Sequence, residues 1–214
     1  MNIQSIVRAL SFVCLLIGLI GSTAMADPTN RYVSLTGGDI WPYTNWTTAA
    51  TSINAAVNLA NDYNEGDTVL IAAGHYVLTQ TVTVVNTRLR GFTGNPDDVL
   101  VDGNNTFRCF TLIHSNTLLA DLTATNGHPT IGTFYDLDGG GVLIPDTKAF
   151  PTALGGGAVV SNCVIVNCKS DRCGGGIMAY TNMTVLRSRI ESNSNVWFLR
   201  TIYGLIQRTL AVKD

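Results

Sequence analysis

One apolar pattern recurs along this chain at a set spacing. Val160, Cys163 and Ile165 are matched by Val185, Ser188 and Ile190, 25 positions on (160 to 185), and by Leu119, Leu122 and Ala124, 41 positions before (119 to 160). Glycine triplets follow the pattern at residues 139–141 and 174–176. The longer interval carries loops at residues 127–138 and 145–154, so the basic unit is about 25 residues. A unit that short cannot bury its apolar face alone; it must stack on copies of itself. From residue 68 onward the periodicity is that of short β runs, at 68–72, 76–78, 81–85, 99–101 and 107–113, each broken by Gly, Asn, Asp or Pro. Strands without a helix inside each unit predict an all-β solenoid, a parallel β-helix.

The stretch GGGAVVSNCVIVNCKSDRCGGGIMA, residues 155–179, poses the choice between a metal knuckle and one turn of such a coil. Zinc needs four ligands in tetrahedral reach, whereas these cysteines run Cys163-x4-Cys168-x4-Cys173 with no histidine near. Glycine triplets suit sharp bends and close backbone approach. Cys163 falls on an inward strand position and is expected to pack as a small apolar residue. A disulfide between Cys168 and Cys173 is the candidate bridge, against free thiols in an interior stack. Asn126, Asn167 and Asn193 recur near strand ends and suggest an imperfect ladder of side-chain amides along the axis, with Asn167 offset by one position.

The ends divide the chain further. Residues 1–26 combine Arg8, an apolar run at 9–20 and the small-x-small site Ala24-Met25-Ala26, the form of a signal peptide. That run is too short to span a membrane, and export would permit disulfides. Residues 27–66 should hold a strand at 32–35 and a capping helix. Thr47 or Thr48 is its N-cap, and Ile53, Ala56, Val57 and Ala60 share one face. Residues 67–194 carry the repeats. Residues 195–214 are atypical: Leu199-Arg200-Thr201 stands where a glycine triplet is due, which suggests a truncated or frame-shifted product or, alternatively, a helical cap. A net charge of −2 with 13% charged residues supplies no basic field for nucleic acid.

The segments YVSLTGGDIWPYTNWTTAATSINAAV, GDTVLIAAGHYVL, GGGV, VSNCVIVNC and GGGI together resemble the right-handed parallel β-helix repeat proteins exported by Gram-negative bacteria. Their fold is similar to that of pectate lyases and polymorphic outer-membrane proteins. The resemblance covers about residues 31–194 and implies right-handed winding, with the helix after the tryptophan motif closing the first turn.

Fold alone does not assign an activity. The resemblance implies a scaffold at the cell surface or outside the cell, non-catalytic and with no cofactor, whose partners are polysaccharide or other surface components. Sugar rings stack on flat apolar faces, and Trp41, Tyr43, Phe134 and Tyr135 are the candidate residues; Trp46 is expected to pack on the cap. The second reading is a polysaccharide lyase or hydrolase on an acidic polymer, in which Asp136 and Asp138 would hold calcium. Glu65 and Glu191 are the only glutamates, which leaves little for a paired-acid site. A third reading is an adhesin or subunit that associates end to end. His75, His114 and His128 are scattered and receive no role.

Overall fold

The structure, a computed structural model, describes residues 30–62, 66–132, 134–146 and 157–195, without the side chains of residues 62, 134 and 135. The signal segment 1–26, most of the second loop and tail residues 196–214 lie outside the described residues. After β1 (Asn30–Val33) and α1 (Ile53–Asp62) come β2 (Thr68–Ile71), β3 (Gly74–Val77), β4 (Val82–Val85), β5 (Arg88–Gly91), β6 (Val99–Asp102) and β7 (Phe110–Ile113). Then follow β8 (Leu118–Ala120), β9 (Thr123–Thr125), β10 (Val142–Ile144), β11 (Ala158–Ser161), β12 (Val164–Val166) and β13 (Lys169–Ser170). The last are β14 (Ile177–Ala179), β15 (Met183–Leu186), β16 (Arg189–Glu191) and β17 (Ser194–Asn195).

The described residues are thus mostly β, with a single α-helix, and the sheets are parallel. One sheet runs β1-β2-β5-β8-β11-β15, a second β3-β6-β9-β12-β16, a third β4-β7-β10-β14, and β13 pairs with β17. From β2 onward the chain visits the first, second and third sheets in turn and then returns to the first. Each return lays a strand beside its counterpart from the previous circuit.

Register follows the sequence spacing. Val160 lies opposite Leu119 on one side and Val185 on the other, and Ile165 opposite Ala124 and Ile190. Val69 and Leu89 extend the first row to five residues. The third sheet aligns Val82, Phe110, Val142 and Ile177. Val69, Leu89, Leu119 and Val160 are fully buried, and burying such a side chain contributes roughly 2 kcal/mol. Strand β5 is an addition to the sequence reading, since RLRG shows one apolar residue, Leu89, between exposed arginines.

The bends between sheets also align. Asp121, Asn162 and Arg187 have φ of 58°, 51° and 46°, and each directly follows a strand of the first sheet. Asn126, Asn167 and Ser192 do the same after the second, at 51°, 55° and 54°. Asn and Asp tolerate this left-handed conformation because their short polar side chains bond locally. The expected amide ladder is therefore replaced. Asn126 and Asn167 are bend residues in register, whereas Asn193 sits one place on and holds the Cys168 N–H and Ile165 O, both at 2.8 Å. Of the glycine triplets, Gly175 shows the closest approach: a Cβ there would lie 2.0 Å from Ser194 O, and one on Gly140 2.2 Å from Lys169 O.

Helix α1 packs on the starting strands β1, β2 and β4 with Ile53, Ala56, Val57 and Ala60 buried, the face read from sequence. Its start differs. The helix begins at Ile53, while Thr48 turns back to Asn45, its N–H donating to Asn45 Oδ1 at 3.0 Å. Two asparagines a double turn apart address the backbone of β4 and the residue before it, on the outer edge of the third sheet. Asn54 Nδ2 donates to Thr81 O at 3.0 Å and Asn61 Nδ2 to Thr83 O at 2.8 Å, while Asn61 Oδ1 accepts from the Val85 N–H at 2.9 Å. One side chain thereby supplies a donor and an acceptor that a further strand would otherwise supply. Asn61→Ala strips both and is expected to destabilise the fold by about 2 kcal/mol, read as a lower urea midpoint with unchanged slope.

Candidate functional site

The densest polar group lies beneath the inserted loop 127–138, where Arg108, Asp138, Arg172 and Tyr180 converge from segments flanking the third sheet. Arg108 lies two residues before β7 and is buried. Its Nε donates to the carbonyls of Asp138 and Gly139 at 3.0 Å each, and its Nη1 to Thr111 Oγ1 at 3.2 Å. Nη2 reaches Asp136 O at 2.8 Å and Asp138 O at 2.7 Å. Burial pushes this guanidinium down to about 10 against the charges of Asp136 and Asp138, so it is still cationic at neutral pH.

Asp138 is fully buried and its carboxylate is committed. Oδ1 accepts from the Cys173 N–H at 3.0 Å; Oδ2 accepts from Arg172 Nη1 at 2.9 Å and from the Tyr180 hydroxyl. Burial, followed by the bond to Asp138, raises the Tyr180 phenol well above its usual range. Ser170 Oγ closes the group on Leu137 O at 2.8 Å. A cleft of about 230 Å³ lies beside it, lined by Arg108, Asp136, Thr106, Phe107, Pro129 and Ile131 among others.

The calcium pairing is corrected here. Asp138 faces inward onto Arg172 and Tyr180 and is an internal ion-pair partner, not an exposed ligand beside Asp136. Among the described residues no group of three or more His, Cys, Asp or Glu could hold a metal ion. The bridge between Cys168 and Cys173 is corrected as well. Both thiols are free, Cys168 buried and Cys173 exposed. Cys163 is buried as expected, and burial raises its thiol to about 12.

Two histidines pair with aspartates. His75 Nε2 meets Asp102 at 3.0 Å and His128 Nε2 meets Asp171 at 2.9 Å. Burial opposes ionisation of Asp102, but the Asn104 N–H, His75 and Asn126 together hold it below its usual range. Asp97 and Asp98 end a 3-10 turn, where Asn95 Oδ1 caps the Asp97 N–H at 3.3 Å.

The aromatic candidates divide. Trp41 is 65% exposed on the loop after β1. Tyr43, two residues on, is half-buried against the core. The side chains of Phe134 and Tyr135 lie outside the described residues. Trp46 packs edge-on between Tyr32 and Phe92, with ring centroids 4.7 and 4.9 Å apart. Phe92, 56% exposed, was not legible from RGFTGNP, because only pairing of β5 beside β2 brings it to Trp46.

Comparison of the chain with known protein families, curated proteins and solved structures finds no match to any of them. Among the described residues no helix is long and apolar enough to cross a membrane.

Replacing Asp138 by Asn removes the carboxylate charge that Arg172 Nη1 meets at 2.9 Å and is expected to cost about 3 kcal/mol in unfolding free energy, measured in urea at neutral pH. The neutral forms of Tyr76, raised to about 12 chiefly by burial, and of Tyr180 are favoured by folding. An unfolded phenol ionises near about 10. Stability is therefore complete below that pH and falls as pH rises from it through the folded values. Thermal midpoints taken from pH 9 upward (about one unit below that value) should decline, and less steeply in Tyr180→Phe.

Proposed function

We propose that this chain is an exported right-handed parallel β-helix whose role is to display a surface, not to catalyse a reaction, and that the surface carried by Trp41, Trp46 and Phe92 binds carbohydrate. The observation that carries the binding reading is the pair of large aromatic side chains left more than half exposed, Trp41 and Phe92, near one end of a strand array whose interior is otherwise apolar. Trp46 fixes Phe92 edge-on, which gives that ring a defined orientation. Exposed aromatic faces are costly in water and suit the apolar faces of sugar rings.

The scaffold part of the reading is supported by the cyclic visiting of three parallel sheets and by the row Val69, Leu89, Leu119, Val160 and Val185. The non-catalytic part is supported by the state of Asp138: the carboxylate that a lyase would offer to a cation is spent on Arg172, Tyr180 and the Cys173 N–H. The resemblance to exported β-helix repeat proteins, with the signal-like residues 1–26, supports a place at the cell surface or beyond it.

Tryptophan fluorescence titrations against a panel of neutral and acidic polysaccharides, with and without calcium, test the proposal. Saturable binding is expected to at least one polymer, weakened about tenfold in Trp41→Ala, a loss of about 1.4 kcal/mol. No binding across the panel would sink the carbohydrate reading. Release of unsaturated uronate products would overturn the non-catalytic one.

A further inference from the structure

Three sheets start at one end of the molecule, and the first strand of each, β1, β3 and β4, has one edge turned away from the strands that follow. Two of those edges are covered. The Tyr32 N–H donates to Tyr43 O at 2.8 Å and the Ser34 N–H to Ala50 O at 2.9 Å, so the returning loop serves β1. Asn54 and Asn61 serve β4 and the residue before it. Strand β3 pairs with β6 alone and has no such cover among the described residues. Backbone groups alternate between the two edges of a strand. The Leu78 N–H donates to Asp102 O at 2.8 Å on the β6 side, which puts the groups of Tyr76 on that side too. The N–H and C=O of His75 and Val77 therefore lie on the outer edge. The chain passes by this place without filling it. Strand β3 starts six residues after the start of β2 (68 to 74), and the same step from β1 (30 to 36) lands on Thr36. There the backbone turns instead: the Gly37 N–H donates to Ser34 O at 3.0 Å, and those of Gly38 and Asp39 to Thr47 O and Ala49 O at 2.9 Å each.

We propose that β3 is a strand-addition site: an extended, uncharged segment of another polypeptide pairs with the N–H and C=O of His75 and Val77 and sets alternate side chains into the cleft beside them. That cleft, of about 160 Å³, is lined by Leu35, Ile53, Tyr76, Val77 and Thr79 among others, and no residue of its lining is charged. Leu35 and Val77 are each more than half exposed, so apolar surface lies next to the open backbone groups. In this mode of recognition the main-chain bonds supply affinity and the pockets for alternate side chains supply specificity. A charged side chain would lose water there and gain no counter-charge, which selects a neutral segment. The flanking covers select a single strand. Helix α1 stands beyond β4 and the returning loop beyond β1, so the end of a second coil, bearing the same covers, is held off. One extended strand meets neither obstacle.

Amide hydrogen exchange followed by NMR on the dilute full chain tests the open edge. The Tyr76 and Leu78 amides, bonded to β6, should exchange slowly and those of His75 and Val77 freely. The probe for the occupant is the blocked peptide acetyl-Gly-Thr-Val-Thr-Val-Thr-Gly-amide, beside a twin that carries Glu in place of each Val. Saturation with the first is expected to slow both edge amides by about tenfold, and the twin should leave them unchanged. Val77→Pro removes one edge donor at a position where a strand edge tolerates proline, and should weaken binding of the Thr-Val peptide by about tenfold. If that variant does not fold, Leu35→Asp, at an exposed position on the cleft, carries the comparison and should weaken the same peptide. Edge amides already protected in the dilute free chain would overturn the proposal, as would protection that grows with protein concentration and so reports a second copy. So would edge amides indifferent to the Thr-Val peptide at about 1 mM, or equal binding of the twin.

Discussion

Each interior strand of the described sheets is held by a parallel strand on either side, so its side chains must tolerate their own counterparts as neighbours. That like-on-like constraint sets the chemistry of the rows. Apolar residues of similar bulk can repeat without limit, which is why Val69, Leu89, Leu119 and Val160 form one buried row and Val82, Phe110 and Val142 another. Charges cannot repeat in this way, since like charges directly opposite repel. Two buried ion pairs accordingly join opposite charges: Arg31 with Asp67 at 3.1 Å, and Asp138 with Arg172 at 2.9 Å.

Parallel strands leave hydrogen-bonding groups open at the ends of each sheet, and at the starting end two devices close those of the first and third sheets. The loop after β1 returns to bond it, the Ala50 N–H donating to Tyr32 O at 2.9 Å and the Tyr32 N–H to Tyr43 O at 2.8 Å. Helix α1 covers the third sheet through Asn54 and Asn61. A helix cannot continue a ladder with its own backbone, whose groups are used internally; side-chain amides offer the same donor and acceptor without that conflict.

The polar cluster under the inserted loop is an anchor for irregular backbone. A loop laid against a core carries carbonyls that need donors, and one buried arginine serves those of Asp136, Asp138 and Gly139. This accounts for a charged cluster without reactive groups: its members face each other.

Much of the architecture is legible in residues 119–190, because stacking copies its own pattern into the sequence: the 41- and 25-residue intervals carry the register of Val160 with Leu119 and Val185. Strand β5 was hidden because a four-residue strand with one inward side chain leaves a single apolar letter, and Asn193 was misplaced because bend and neighbour asparagines look alike. Sequence alone likewise found the buried face of α1, an effect of helical period within one segment. Tertiary structure decided the rest: which way Asp138 points, that Phe92 meets Trp46, and that Cys168 is buried while Cys173 is exposed. Periodicity records which residues share a face, but contacts between circuits with loops of different length depend on where the backbone bends, and that is fixed only once the strands have paired.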